Sequence, residues 1–181
     1  IGNSITSIGE YAFYNCIYLE SVTIGNNVKL IGRNAFGECT ELTNVTIGKN
    51  VASIGTNAFR NCTRLKIITI PNSVTSIGAY AFRDCISLKE ITIPDSLTSI
   101  GTEAFDNTSY YNNESNWDSG VLYIGKFLIC SDSNVVSGRY TVKSDTLLIA
   151  DYAFYDCTGL TSITIPDSVT SIDDHTFSGC T

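Results

Sequence analysis

The chain predicts a mainly β repeat solenoid, and three observations carry that expectation. The pair Ala-Phe recurs every 23 residues, at Ala12-Phe13, Ala35-Phe36, Ala58-Phe59, Ala81-Phe82 and Ala104-Phe105, returns at Ala153-Phe154, and has a variant at Thr176-Phe177. A fixed period of this size marks a stacked array of identical units. Ahead of each pair runs an apolar segment whose end alternates with period two, and between the two stands a Gly or Pro turn. A residue type that recurs in every copy is first a packing residue, so the repetition speaks for architecture before it speaks for chemistry.

Written from Leu88, one unit reads LKEITIPDSLTSIGTEAF. In Leu88-x-x-Ile91-x-Ile93 the last two apolar residues share a face and Thr92 points away, the pattern of a half-buried strand. Counterparts are Leu19/Val22/Ile24, Leu42/Val45/Ile47, Leu65/Ile68/Ile70 and Leu160/Ile163/Ile165. Stacked in register, these strands make a parallel sheet with neighbours about 4.8 Å apart. The turn opens with Gly25, Gly48, Pro71, Pro94, Lys143 or Pro166. Proline fixes φ near −65°, so the position does not demand a left-handed backbone even where Gly fills it. The small polar residue that follows (Asn27, Asn50, Ser73, Ser96, Asp145, Ser168) is of the kind that hydrogen-bonds its own turn. Val74-Thr-Ser-Ile77 reads as a short second, outer strand, and Ala81-Phe82-x-x-Cys85 as a one-turn helix. Gly9, Gly32, Gly55, Gly78 and Gly101 share a position that Ala150 and Asp173 also fill. Tight packing explains those glycines better than positive φ, which Ala tolerates poorly. The ladder of Phe13, Phe36, Phe59, Phe82, Phe105, Phe154 and Phe177 is expected to be the largest packing contribution.

Leu-x-x-Ile-x-Ile-x-x-Ser is close to the strand of a leucine-rich repeat. It is followed here by Val and then Ile-Gly-x-x-Ala-Phe-x-x-Cys, and this combination resembles the BspA-like leucine-rich repeats over nearly the whole chain. The resemblance implies a curved right-handed solenoid with a parallel concave sheet, belonging to a large cell-surface or secreted protein. It also implies attachment to host, matrix or cell-surface proteins, and it supplies no catalytic residue. The chain opens in mid-repeat and stops at Cys180-Thr181, so residues 1–181 are expected to be one solenoid domain cut from a longer protein.

The period fails once. Between Phe105 and Phe154 stand 49 residues where 23 belong, an excess of 26, and Thr108 replaces the expected Cys. The insertion, at about 109–139, starts with a polar loop holding Tyr110, Tyr111 and the only Trp, Trp117. Val121-Leu122-Tyr123-Ile124 and Phe127-Leu128-Ile129-Cys130 then flank Gly125-Lys126, a tight hairpin. Both runs are too apolar to project into water. We therefore expect an up-down-up meander within the first sheet, completed by Tyr140–Val142, in preference to a separate lobe.

The side chains able to do chemistry are few. Cys16, Cys39, Cys62, Cys85, Cys157 and Cys180 share one repeat position, and Cys130 lies in the insertion. No Cys-x-x-Cys pair exists, which argues against zinc. Stacked copies do not forbid disulfides, but a place between Phe and Leu core positions favours buried free thiols. His175, the only histidine, has Asp173 and Asp174 beside it but no third partner, which favours a surface role. Four Asn-x-Ser/Thr sequons occur, at Asn44, Asn61, Asn107 and Asn113. No cofactor, nucleophile–histidine pair or phosphate loop is indicated, so no enzyme activity is expected. The net charge of −7 is uneven: residues 1–92 hold 8 Lys/Arg against 6 Asp/Glu, residues 93–181 hold 3 against 12. That balance argues against a nucleic-acid partner.

The outward positions of the parallel sheet are the expected binding surface. One column is Thr23, Thr46, Thr69, Thr92, Thr141 and Thr164, ordinary β-formers. The next column varies, with Ser21, Asn44, Ile67, Glu90 and Ser162, and Glu20, Lys66 and Lys89 flank it. Tyr110, Tyr111 and Trp117 are the other candidates, since clustered aromatics concentrate binding energy. The expectation is a monomeric, non-enzymatic protein-recognition or adhesion module, with a structural spacer that displays another domain as the alternative.

Overall fold

The computed structural model describes all residues from Ile1 to Thr181. Its sixteen strands are short: β1 (Ser7–Ile8), β2 (Ser21–Thr23), β3 (Leu30–Ile31), β4 (Asn44–Thr46), β5 (Ser53–Ile54), β6 (Ile67–Thr69), β7 (Ser76–Ile77), β8 (Glu90–Thr92), β9 (Ser99–Ile100), β10 (Trp117–Asp118), β11 (Val121–Ile124), β12 (Phe127–Ser131), β13 (Gly138–Thr141), β14 (Leu148–Ile149), β15 (Leu160–Thr164) and β16 (Ser171–Ile172). They stack in two columns, as a mainly β solenoid of 23-residue coils requires. The first column holds the parallel pairs β2–β4, β6–β8 and β13–β15. The second is a parallel sheet in the order β1-β3-β5-β7-β9. Each outer-strand Ile sits directly on the next, Ile8 on Ile31, Ile31 on Ile54, and so on to Ile100, and all five are buried.

The core lies between the columns. Phe36, Phe59, Phe82, Phe105 and Phe154 are fully buried. The rings of Phe13, Phe36, Phe59, Phe82 and Phe105 stack nearly parallel at 5.0, 5.2, 5.4 and 5.5 Å between centroids. Tight packing does account for the glycines: a Cβ on Gly32 or Gly55 would come within 2.7 or 2.8 Å of the preceding coil's backbone, and neither has positive φ. The polar turn residues act differently from the expectation. Ser73, Ser96 and Ser168 donate to Val51 O, Val74 O and Thr146 O of the preceding coil, at 2.6, 2.9 and 2.7 Å, and so tie coils together instead of closing their own turns.

The Ala-Phe-x-x-Cys segment is not a one-turn helix. Alternate amides leave the coil: Asn34, Phe36 and Glu38 N–H donate to Thr56, Ala58 and Arg60 O of the next coil at 2.9, 2.8 and 2.8 Å. The amides between them close turns within the coil, as with Ala35 N–H to Gly32 O at 3.2 Å. A helix would aim every amide along its own axis. Here left-handed residues flank each Ala-Phe pair and reverse the peptide planes, Asn34 at φ 52° and Glu38 at φ 63° in this copy. The same two positions are left-handed at Tyr11/Asn15, Asn57/Asn61, Tyr80/Asp84, Glu103/Asn107, Tyr152/Asp156 and His175/Gly179. Each non-glycine costs roughly 1 kcal/mol in that region, offset by bonds that run the length of the array. The His175 position is therefore a conformational requirement of the unit and not an unconstrained surface site.

The insertion is a partition. As expected, β11 and β12 form an antiparallel hairpin and do not project as a lobe. The meander in the first column is not what forms, however. β12 pairs parallel with β14, Phe127 to Leu148 and Leu128 to Ile149, and β11 pairs on its other side with β10. β12 thus stands in as a second-column strand, while β13 pairs only with β15. The physical reason is that β11 is apolar on both faces. Leu122, Ile124, Phe127 and Ile129 join a core of 33 buried residues with the first coils, and Val121, Tyr123 and Leu128 join a second core of 9 with Phe154. A first-column strand must turn one face to water, and this hairpin has none to spare. The Phe ladder is divided as a result: Phe154 stacks on Phe177 at 5.4 Å, but no ring connects it to Phe105.

Candidate functional site

The varied residues nominated from sequence do share one face. Ser21 lies beside Asn44, and Ile67 beside Glu90, in register on the first column. Glu20, Ser21, Asn44, Lys66, Ile67, Lys89 and Glu90 are all exposed, because the central Val or Ile of each strand takes the inward side. Ser162 is exposed on the same column but across the partition, next to Arg139. Arg139 was missed in the sequence, although it stands two residues before Thr141 as Asn44 stands two before Thr46.

This face is broken between β4 and β6. Ile24 N–H donates to Thr46 O at 2.8 Å and Ile70 N–H to Thr92 O at 2.9 Å, but no such bond joins Ile47 to Thr69. The break falls where the turn residue changes from Gly48 to Pro71. A Cβ on Gly48 would drive into the Gly25 carbonyl group, whose carbon lies 2.8 Å away, so a Gly turn admits only another Gly at this spacing. Pro71 carries a Cβ and must stand off from Gly48, and the two strand ends part. An open groove of about 690 Å³ results, lined by Thr43, Asn44, Val45, Thr46, Ile47, Lys66, Ile67, Thr69 and Pro71. Ile67 is 51% exposed there, an apolar residue amid polar ones, with strand-edge amides and carbonyls of β4 and β6 unpaired beside it.

The three insertion aromatics are placed differently from the expectation of an exposed cluster. Tyr110, Tyr111 and Trp117 are half-buried against the first core. Tyr110 donates its hydroxyl to Tyr123 O at 3.0 Å, and Trp117 donates Nε1–H to Tyr111 O at 2.7 Å. The Tyr111 and Trp117 rings meet edge to face at 5.1 Å, and burial pushes the Tyr111 hydroxyl up to about 12. With the polar ends of Tyr110 and Trp117 bonded to the chain's own carbonyls, these side chains brace the hairpin against the first block.

The profile of the BspA type leucine-rich repeat region matches six copies in this chain, over residues 1–112 and 125–181. The chain belongs to the BspA-type leucine-rich repeat family. The match stops just ahead of β10 and β11 and resumes at the turn into β12, the strand that takes over the second column. Similar solved structures include a leucine-rich repeat protein of T. pallidum, 25% identical, with a TM-score of 0.63 over 97% of this chain and 70% of that one. A leucine-rich cell surface protein of Faecalibacterium prausnitzii is 28% identical, with a TM-score of 0.59 over 98% and 69%. The pneumococcal vaccine antigen PcpA shares the fold, at 20% identity and a TM-score of 0.54 over 97% and 54%. No curated protein matches the chain.

The BspA-type unit also explains its cysteine. Cys39, Cys62, Cys85 and Cys157 are buried, and all seven cysteines are unpaired in the structure. Cys39, Cys62 and Cys85 donate Sγ–H to Phe13, Phe36 and Phe59 O of the preceding coil, at 3.1, 3.3 and 3.1 Å. Burial pushes the Cys39 thiol up to about 11 and raises the Cys157 thiol as well. Where Thr108 replaces Cys its hydroxyl turns back to Phe105 O at 2.9 Å instead of reaching Phe82 O of the preceding coil, and it accepts from Tyr111 N–H at 3.0 Å at the start of the insertion. No group of three or more His, Cys, Asp or Glu is arranged to hold a metal ion. No helix is long and apolar enough to cross a membrane. The BspA-type repeats are a non-enzymatic family.

Proposed function

We propose that this chain is a non-enzymatic adhesion or protein-recognition module of a cell-surface or secreted protein, monomeric, and binding its partner through the first strand column. The observation that carries the reading is the groove between β4 and β6. It places the exposed Ile67 beside Lys66 and Asn44, at the one point in the first block where two successive strands of a column fail to pair. An apolar anchor with a polar rim is the composition of a protein-binding hot spot, and unpaired edges accept an extended segment. The cell-surface description of the F. prausnitzii relative supports the location. The partner is a matrix or cell-surface protein.

The test is binding of the chain to immobilised matrix proteins and to intact cells, repeated with Lys66→Glu/Ile67→Glu and with Tyr110→Ala/Tyr111→Ala/Trp117→Ala. Loss of about ten-fold or more in affinity is expected for the groove variant, while a folded form of the aromatic variant retains binding. Equal binding by the groove variant and the parent would remove the first column from consideration.

A further inference from the structure

The partition leaves a second cavity, about 510 Å³, on the Ala-Phe side of the solenoid where the two blocks meet. Elsewhere each Ala-Phe turn is bonded to the next one, as Phe36 N–H is to Ala58 O. Here β12 supplies Ile129, Cys130 and Ser131 in place of that turn, and a gap of ligand-pocket size stays open. Tyr80, Glu103 and Asp106 of the first block line one side, and Tyr152 and Tyr155 of the second line the other.

The fold does not call for these tyrosines. The position of Tyr80 and Tyr152 is left-handed, at φ 60° and 57°, and Asn34 and Asn57 fill it in other coils at lower strain. Tyr155 stands where Gly37, Arg60 and Ser178 stand elsewhere. Both second-block rings are open to solvent, Tyr152 at 36% and Tyr155 at 51% exposure, and their centroids lie 5.2 Å apart with the planes tilted by 53°. Tyr110, Tyr123 and Tyr140 have their hydroxyls bonded within the chain, whereas those of Tyr80, Tyr152 and Tyr155 make no such bond.

The two first-block carboxylates are open as well. Arg83 bridges Glu103 and, at 3.4 Å, Asp106, through one oxygen of each. The second oxygens, Glu103 Oε1 and Asp106 Oδ1, accept nothing within the chain, and the side chains are 45% and 23% exposed. Such oxygens are fixed, charge-assisted acceptors for a neutral donor, while a cation would have to compete with Arg83. Asp151 gives a cation no other partner, since its Oδ1 is shielded from solvent and the carboxyl already takes the Thr102 N–H. No Lys, Arg or His lines the cavity, so an acidic sugar or a phosphate finds no counter-charge there.

We infer that this cavity binds a neutral sugar ring. The C–H face of the sugar rests on Tyr152 and Tyr155, because polarised C–H groups favour the negative face of an aromatic ring. Its hydroxyls donate to Glu103 Oε1 and Asp106 Oδ1 and exchange hydrogen bonds with the free tyrosine hydroxyls. The site is independent of the groove between β4 and β6, and neither reading requires the other.

The experiment is a titration of the ¹⁵N-labelled chain with four neutral disaccharides (lactose, N-acetyllactosamine, cellobiose and maltose), followed by amide chemical shifts. The first two carry the termini of glycoprotein glycans and the last two those of polysaccharides, so the preferred one names the source. Expected with at least one of them are saturable shifts confined to the surroundings of Glu103, Asp106, Tyr152 and Tyr155, unchanged by added salt because the ligand is neutral. Tyr152→Asn/Tyr155→Ser installs residues that other coils carry at the same positions, which keeps the fold, and should weaken binding by roughly ten-fold or more. Glu103→Gln should weaken it by about ten-fold, and Lys66→Glu should leave it unchanged. No saturable shift with any of the four, or binding preserved in the tyrosine variant, would overturn the proposal. So would saturation by the cation agmatine with none by the disaccharides, which would make this a cation site.

Discussion

Residues 1–107 and 121–181 use the same 23-residue unit, yet they cohere to different degrees. The first block carries five strands in one unbroken second-column sheet, five stacked phenylalanines and most of a 33-residue core. The second carries two stacked phenylalanines and a core of 9 buried residues, with Ile163, Ile165, Val169 and Phe177 only partly covered. In a repeat array stability is the sum of each unit and its contacts with neighbours. Equal units in unequal numbers therefore give unequal blocks, and the hairpin decides where the division falls. With apolar side chains on both faces it closes each core, as a capping repeat would, but from inside the array.

The largest expected effect tests the division directly. Phe59→Ala removes a ring stacked on both sides and should cost about 4 kcal/mol in urea unfolding, with lost amide protection across the first block. Phe154→Ala, stacked on one side only, should cost about 3 kcal/mol, with exchange rising in residues 138–181 alone. If both variants lose protection over the whole chain, the two blocks are one cooperative unit.

Next in size are the two faces of the partition. Leu122→Ala and Leu128→Ala delete similar volumes and should each cost about 2–4 kcal/mol. Hydrogen exchange should rise around Phe105 for the first and around Phe154 for the second. A common pattern for the two would mean that the hairpin transmits strain between the cores and does not separate them.

A smaller effect concerns the seam within the first block. Gly48→Ala should destabilise by about 1–3 kcal/mol, the cost of overpacking, since its Cβ meets the Gly25 carbonyl. Pro71→Gly should let β6 close onto β4 and slow exchange of the amides around Ile47 and Thr69. Unchanged exchange there would show that the turn does not hold the groove open.

The smallest effect is at Asp151. Its carboxyl is raised above the ordinary range, first by desolvation and then by Asp174 and Asp173, with the Thr102 N–H and His175 working the other way. A carboxyl raised on folding binds its proton more tightly in the native state, so its ionisation removes stability as pH rises through the raised value. Asp151→Asn should therefore melt slightly higher than the parent at pH 7, and the difference should vanish near pH 3. A lower melting point at neutral pH would mean that the ionised carboxylate is a structural partner.

How much of this was legible can be argued from particular residues. The Ala-Phe period and the Ile-x-Ile alternation led to the coil, the strand columns and the core, because every copy must bury the same face on its neighbour. The left-handed residues were signalled by Asn15, Asn61, Asp84, Asn107 and Asp156 in a single column, Asn and Asp being the non-glycine residues most at home there, but the helix-like spacing of Ala-Phe-x-x-Cys masked them. The exposed varied column was read correctly as exposed. Its groove was not, since it depends on Pro71 meeting Gly48 across coils, a contact between positions 23 residues apart. The half-burial of the insertion aromatics was not legible for a similar reason: a polar loop holding Tyr and Trp reads as exposed until the core it covers is known.

By itself, then, the sequence determined the unit, its stacking axis, the inward face of each strand and the place where the period breaks, all of them local or periodic properties. Tertiary structure alone decided which column the hairpin would join, how one core became two, and where amides and carbonyls were left without partners. Those outcomes depend on what each coil meets in the next one, and a repeat written identically in every copy carries no information about the places where its neighbour differs.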